Sequence, residues 1–419
     1  MVIKRNLLLF ASLMFVSIFI ASELFASGVE SIVSQYKSIR PMGMGNIFTT
    51  ITDNGDAFYY NPAGIANINH PLFAFQPLRL LITRDLYDEI GNITQLADDV
   101  GKVRQSDDPL NNPDVADERQ RVLNRMERMF YETLGMDIAT PTQITFPVNI
   151  RNFNLAIGAT VNGWSESKVK VLRHGLRWKS FAQDILDDEI LYRIIAETSY
   201  GVTTAFKFPI SLLSLPIELS MGISAMKINQ MLITDEDDLL SVSDLLNPNG
   251  KDNIKGTADD FENHFFNPDD PFACISKGEG YSVDAGVIVS LTNKAEVAFS
   301  LRNLMGKITY DKTKKLPKDF AISIVVNLTK LPHLNIPMMD VILATGLDSL
   351  SNKTGVQLGL ETILKPLKFL SISGRIGRNQ GYTSLGAGVQ LLFLDLDYAF
   401  YCDTFANWHA FSLKMAFQY

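Results

Sequence analysis

From Leu72 to the last residue, Tyr419, apolar side chains recur at every second position in segments of about ten residues, and this period of two restricts the fold more than any other feature. A strand with that period presents two unlike faces. Tyr281, Val283, Ala285, Val287, Val289 and Leu291 alternate with Ser282, Asp284, Gly286, Ile288 and Ser290. Val356, Leu358 and Leu360 alternate with Gln357, Gly359 and Glu361. Leu394, Leu396, Tyr398 and Phe400 alternate with Asp395, Asp397, Ala399 and Tyr401. A soluble sandwich alternates as well, but its exterior carries varied polar residues. Here the second face is rich in Gly, Ser and Ala with a few charges, which suits the inside of a barrel that must hold something. Segments near 72–82, 141–150, 153–163, 196–208, 216–228, 280–291, 295–303, 318–328, 340–348, 353–363, 367–377, 381–391, 394–401 and 408–418 predict about fourteen strands, the even number a bacterial barrel requires. The expected fold is all-β: a transmembrane antiparallel β-barrel.

Beyond the first 25 residues no uncharged apolar run approaches the roughly 18 to 20 residues of a spanning helix. A formal charge of -8 argues against nucleic acid, whose phosphates need a basic surface. No Zn, haem or nucleotide motif stands out, so no cofactor and no metal are expected, and no Ser/His or acidic dyad suggests an enzyme. Cys274 and Cys402 have no metal-ligand spacing; either they pair or they are two unrelated thiols. Residues 1–26 carry a basic start at Lys4 and Arg5, an apolar run from Leu7 to Ala21 and small residues at Ala26 to Gly28, the three regions of a secretory signal peptide. The domains expected are therefore a signal peptide over 1–26, an N-terminal plug over 27–70, and a barrel over 71–419.

With the last strand ending in the periplasm, the long connections 83–140, 164–195, 229–279 and 304–317 all fall outside and the short ones inside, as in bacterial barrels. One periplasmic turn, Leu391 to Leu394, has no turn residue. Residues 113–135 read as an amphipathic helix, either a cap over the mouth or a packed surface insertion, and 178–192 as a second short helix. The acidic run from Asp235 to Asp238 reads as a solvated loop, since it lacks the twelve-residue spacing of an EF-hand.

The densest stretch is Arg40 to Ile68. Gly43 and Gly45 permit close backbone approach, Asp53 to Asp56 is turn chemistry, and Phe58, Tyr59 and Tyr60 lead into Asn61, Pro62, Ala63 and Gly64. Glycines, an Asp-rich turn and an aromatic run into Asn-Pro-Ala-Gly, in this order, resemble the amino-terminal hatch of the FadL-type outer-membrane transporters of fatty acids and aromatic hydrocarbons. His409, Phe411, Leu413, Met415, Phe417 and Tyr419 on one face look like the terminal signal that outer-membrane assembly machinery reads. The resemblance implies a monomer in a Gram-negative-type outer membrane, in contact with lipids, that passes hydrophobic or amphipathic molecules such as long-chain fatty acids. It also implies that Phe48, Phe58, Tyr59 and Tyr60 line or brace the plug, and that the Asn61 to Gly64 turn packs against an inward kink of the third strand that opens a lateral gap. Gly158 is the kink candidate; alternatively it makes room for a plug side chain. Arg375 and Arg378 are candidates for a carboxylate head group, and Arg375 is also a candidate partner of Glu361, Asp395 or Asp397. Leu396 to Phe400 and Trp408 to Leu413 are similar as well to the PorV-like members, which serve as secretion or attachment partners.

Overall fold

A computed structural model of the chain describes residues 38–47, 49–50, 56–84, 86, 95, 98–103, 105, 112–129, 133–150, 153–172, 189–212, 215–234, 240–241, 275–291, 294–310, 313–331, 336–348, 355–379, 382–402 and 407–418. The signal peptide, Phe48, Cys274, the Asp235 to Asp238 run and Tyr419 lie outside them.

All fourteen expected strands are present. They are β1 (Leu72–Thr83), β2 (in two pieces, Thr133–Ala139 and Thr142–Ile150), β3 (Phe153–Leu172), β4 (Glu189–Leu212), β5 (Leu215–Thr234), β6 (Ser276–Leu291), β7 (Ala295–Thr309), β8 (Asp319–Asn327), β9 (Met339–Asp348), β10 (Gly355–Leu367), β11 (Leu370–Asn379), β12 (Tyr382–Leu391), β13 (Leu394–Cys402) and β14 (Asn407–Gln418). Each pairs antiparallel with its sequence neighbour, and β1 closes the ring on β14 from Leu72↔Gln418 to Thr83↔Trp408. The pieces Leu240–Ser241 and Thr313–Lys315 extend hairpins at the loop end.

The exterior follows from the register. Across β4 to β7 the outward rows are Ile210–Ile217–Leu291–Ala295, Phe208–Leu219–Val289–Val297, Phe206–Met221–Val287–Phe299, Thr204–Ile223–Ala285–Leu301 and Val202–Ala225–Val283–Met305. These rows span about 26 Å along the strands at about 3.3 Å per residue, or about 20 Å of height at a tilt of about 40°. Thr204 is the polar exception. Such a surface is solvated by hydrocarbon far more readily than by water. Stacked phenylalanines mark its turn-end edge: Phe153, Phe206 and Phe208 on one side, Phe73, Phe417 and Phe393 on another. No described helix is long and apolar enough to cross a membrane.

Several boundaries differ from expectation. β3, β4, β5 and β6 overrun the anticipated loops: β3 continues to Leu172 and β4 begins at Glu189, while β5 ends at Thr234 and β6 begins at Ser276. Cross-strand pairing sustains these extensions, with Leu172↔Glu189 the last pair between β3 and β4. The expected helix over 178–192 is thus strand at 189–192, and its remainder lies outside the described residues. The first-loop helix runs only Ala116–Met129, because 133–135 pair with β3 and open β2. The turn without turn residues is made by Leu392, which adopts a left-handed φ of 54° and lets Leu391 pair with Leu394.

Candidate functional site

The described part of the segment 38–68 lies inside the ring, its two ends against opposite walls. On the first wall, α1 (Ile39–Gly43) is followed by Gly45 and Asn46, both left-handed with φ of 71° and 65°, so the chain reverses sharply. The turn is pressed onto wall glycines: a Cβ on Gly377 would sit 2.1 Å from Gly45 N, and one on Gly359 2.6 Å from Met44 O. Gly43 meets Gly386 backbone to backbone, and Gly45 N donates to Ser384 Oγ at 2.9 Å.

The fastening on this wall is ionic. Arg40 grips Glu361 with two bonds, Nε to Oε1 at 3.0 Å and Nη2 to Oε2 at 2.7 Å. Arg375 Nε also donates to Glu361 Oε1 at 2.8 Å, and its Nη1 reaches Asp397 Oδ1 at 2.5 Å. The fully buried carboxylate therefore holds one cation from the inner segment and one from the wall. Below them Lys414 Nζ lies 3.5 Å from Asp56 Oδ1, and Ser38 Oγ donates to Asp56 Oδ2 at 3.0 Å. Asp395, opposite Lys414 in register, has an Oδ1 that makes no hydrogen bond.

These charges surround a cavity of about 260 Å³ open toward the turn end, which Gln76 and Leu72 of β1 also line. Above α1 the character reverses: Ile39 and Met42 are buried against Leu81, Tyr401 and Trp408 near the loop end. The lumen beside α1 is thus charged below and carries this apolar cluster above, beside the buried Arg79–Asp137 ion pair.

On the opposite wall, α2 (Ala57–Tyr60) delivers Phe58 onto Gly158, where a Cβ would fall 2.3 Å from the ring. Tyr59 Oη and Thr160 Oγ1 share a hydrogen bond of 2.7 Å, and Tyr60 Oη accepts from Ser38 N at 2.8 Å. Asn61 then caps a 3₁₀ turn over Pro62–Asn67, its Oδ1 accepting from Ala63 N at 3.1 Å, with Pro62 at the first position where its missing N–H costs nothing. Asn61 Nδ2 donates to Thr49 O at 2.9 Å. The turn seats on Gly286 and Gly222: a Cβ on the former would lie 1.8 Å from Asn61 Oδ1, and one on the latter 2.5 Å from Ala63 N. Ala63 packs on Ile288 and Ala298, and Gly64 is buried beside it.

Two expectations are corrected. β3 runs through Gly158 without a register shift against β2 or β4, so the glycine accommodates Phe58 and the strand is not kinked there. Register breaks lie elsewhere: between β6 and β7 at Val283/Ala285, between β10 and β11 at Leu364/Leu367, and at the β1–β2 seam. β1 carries a bulge at Gln76 and Pro77, and Thr140 with Pro141 divides β2. Two prolines lack N–H donors for the ladder, so Gln76 N to Pro141 O, 2.9 Å, spans a gap between flanking paired runs. Arg378 is the second correction: it is exposed on the outward face, while Arg375 is buried inside. Positions three apart on a strand face opposite ways.

Of the predicted lumen charges, Arg375, Glu361 and Asp397 form one network and Asp395 lines the same cavity. Arg40, Asp56, Lys414 and the receiving glycines were missed as partners. Their signal was a glycine at inward positions of the strand alternation, readable as space to be filled.

Burial raises the Tyr59 and Tyr60 phenols above their ordinary value of 10.0, with neighbouring Asp56 pushing the same way and the bonds to Thr160 and Ser38 opposing. A raised folded value means that this stability is complete below the unfolded pKa near 10 and is lost as pH rises through the folded one. An ultraviolet titration of the folded protein should show two phenols resisting ionisation until well above pH 10, and Tyr59→Phe with Tyr60→Phe should remove them from the curve. Ionisation of every tyrosine near 10 would contradict the burial of α2.

No protein-family model matches the chain, and no curated protein sequence matches it. Among solved structures, the Ralstonia pickettii toluene transporter TbuX aligns over 92% of this chain and 98% of its own at 9% identity and TM-score 0.47. A Pseudomonas aeruginosa FadL homologue aligns over 93% and 97% at 8% identity and TM-score 0.40. The Pseudomonas putida toluene transporter TodX aligns over 91% and 96% at 10% identity and TM-score 0.42.

Proposed function

We propose that this chain is an outer-membrane channel for hydrophobic or amphipathic small molecules, long-chain fatty acids among them, in which residues 38–68 act as a displaceable plug. The observation that carries this reading is the filled lumen: a segment of the chain crosses the ring, bolted to glycines on both walls and tied by Arg40 to a buried carboxylate. A pore for water-soluble solutes keeps its lumen open, whereas a plug with an apolar upper face and a charged lower face suits an amphipathic molecule.

Plug displacement parts the buried contacts of Ile39 and Met42 with Trp408 and opens the charged cavity, where Arg375 receives the carboxylate. In place of a kinked third strand, we assign any sideways exit to the β1–β2 seam, because the cavity reaches Gln76 at the bulge. The chemistry asked of these residues is binding and release, so no bond is made or broken.

The test is uptake of labelled oleate and labelled toluene by cells with the protein, without it, and with Asn61→Ala plus Pro62→Ala. Uptake should depend on the protein and change in the variant, whose plug loses its capped turn. Equal uptake in all three strains would sink the transport reading and favour a barrel that serves a partner protein.

A further inference from the structure

Directly above the apolar rows of β4 to β7, the next outward row is Tyr200–Lys227–Tyr281–Lys307–Lys315, five positions in continuous register. The row above it is Thr198–Asn229–Glu279–Thr309–Thr313. Hydrocarbon-facing surface therefore ends abruptly at a line of tyrosines and lysines. Both tyrosines, Lys227, Lys307 and Lys315 are exposed. Lys307 Nζ lies 5.7 Å from the centroid of the Tyr281 ring, and Lys227 Nζ lies 3.6 Å from Glu279. Among these ten positions Glu279 is the one acid against three lysines, on a chain whose formal charge is -8.

We infer that this edge is a binding site for a phosphorylated glycolipid of the leaflet at the loop end, its acyl chains on the apolar rows and its phosphates on Lys227, Lys307 and Lys315. The inference rests on the membrane-spanning reading of the barrel. Charge complementarity selects the occupant. Neighbouring strands lie about 4.8 Å apart, so the row places the three lysines within about three strand spacings, about 14 Å, of one another along the edge of the apolar surface. Tyr281, between Lys227 and Lys307, and Tyr200 at the end of the row give the sugar flat apolar surfaces with polar edges. Lysines that only snorkel to the interface would serve any polar headgroup; a phosphate site discriminates.

The experiment uses the full chain purified in detergent, with its heat-modifiable gel mobility recorded for every sample. Binding of a bisphosphorylated acyl glucosamine disaccharide is measured against the same glycolipid with its phosphates removed and against inorganic phosphate. The proteins are the wild type, a Lys227→Gln, Lys307→Gln, Lys315→Gln variant, and a turn-end control carrying Lys294→Gln, Lys330→Gln and Lys368→Gln. About fivefold per interfacial lysine predicts about a hundredfold weaker binding in the first variant and little change in the control. Equal binding by the triple variant, equal binding of the dephosphorylated lipid, or displacement by inorganic phosphate at the lipid's own concentration would overturn the site while leaving the barrel intact. Loss of heat-modifiability in the wild type would overturn the barrel reading and this one with it.

Discussion

Gly222→Leu is expected to unseat the inner segment and convert a closed barrel into an open one. A Cβ at this position would stand 2.5 Å from both Ala63 N and Pro62 C, which are backbone atoms in a capped turn and cannot swing aside. Overpacking of this kind costs about 1–3 kcal/mol where side chains can adjust, and a rigid turn adjusts less. The strand ladder itself is untouched, since Gly222 pairs regularly with Ala205 and Gly286. The variant should therefore remain heat-modifiable while its ion conductance in planar bilayers rises at least about tenfold, the change that about 1.4 kcal/mol produces. Gly286→Val should act alike, because its Cβ would fall 1.8 Å from Asn61 Oδ1. Folded barrels that stay closed would show that the Asn61–Pro62–Ala63 contact does not hold the inner segment in place.

The second large effect is expected from Arg40→Glu. Glu361 is completely buried and shares its oxygens between Arg40 and Arg375, so reversing one charge leaves two carboxylates facing one guanidinium. Removing one partner of a buried pair costs about 3–5 kcal/mol, most of it the desolvation of the charge left behind. The glycine contacts on the same wall are short-range and cannot compensate once the helix shifts. Channel opening should rise by about a hundredfold or more, and Glu361→Gln introduced together with Arg40→Gln should recover most of the closure by removing both charges. Salt separates this from the glycine variants: a buried ion pair is little screened, so closure of the wild type should be nearly independent of ionic strength. Equal closure in wild type and Arg40→Glu, by bilayer conductance, would remove the ionic latch from the account.

Local patterns reached far into this protein. Alternation marked all fourteen strands, and the faces came out as the sequence divides them: Val356 and Leu358 are exposed outside, Gln357 and Glu361 buried inside. The signature from Arg40 onward marked the segment that lies in the lumen, and Asn61 with Pro62 already carried the capping chemistry of the turn they form. Two readings failed for identifiable reasons. The kink reading of Gly158 gives way to its alternative, room for an inner side chain, because the missing Cβ is filled by Phe58, which is a hundred residues earlier in the chain. Pro77 and Pro141 were the available signal for the break at the β1–β2 seam, because proline within a sheet marks an edge or a bulge. Arg378 was placed in the lumen beside Arg375 although their odd separation forbids a shared face.

The sequence by itself determined the strand count, the inward and outward sets, and the local conformation of the inner segment, because each depends on neighbours within a few positions. Tertiary structure alone decided what that segment touches. Arg40 meets Glu361 across 321 positions of sequence, and Asn61 meets the carbonyl of Val287 across 226. Both contacts depend on strand registers that accumulate around a closed ring, and no local period encodes which inward glycine ends up facing which turn.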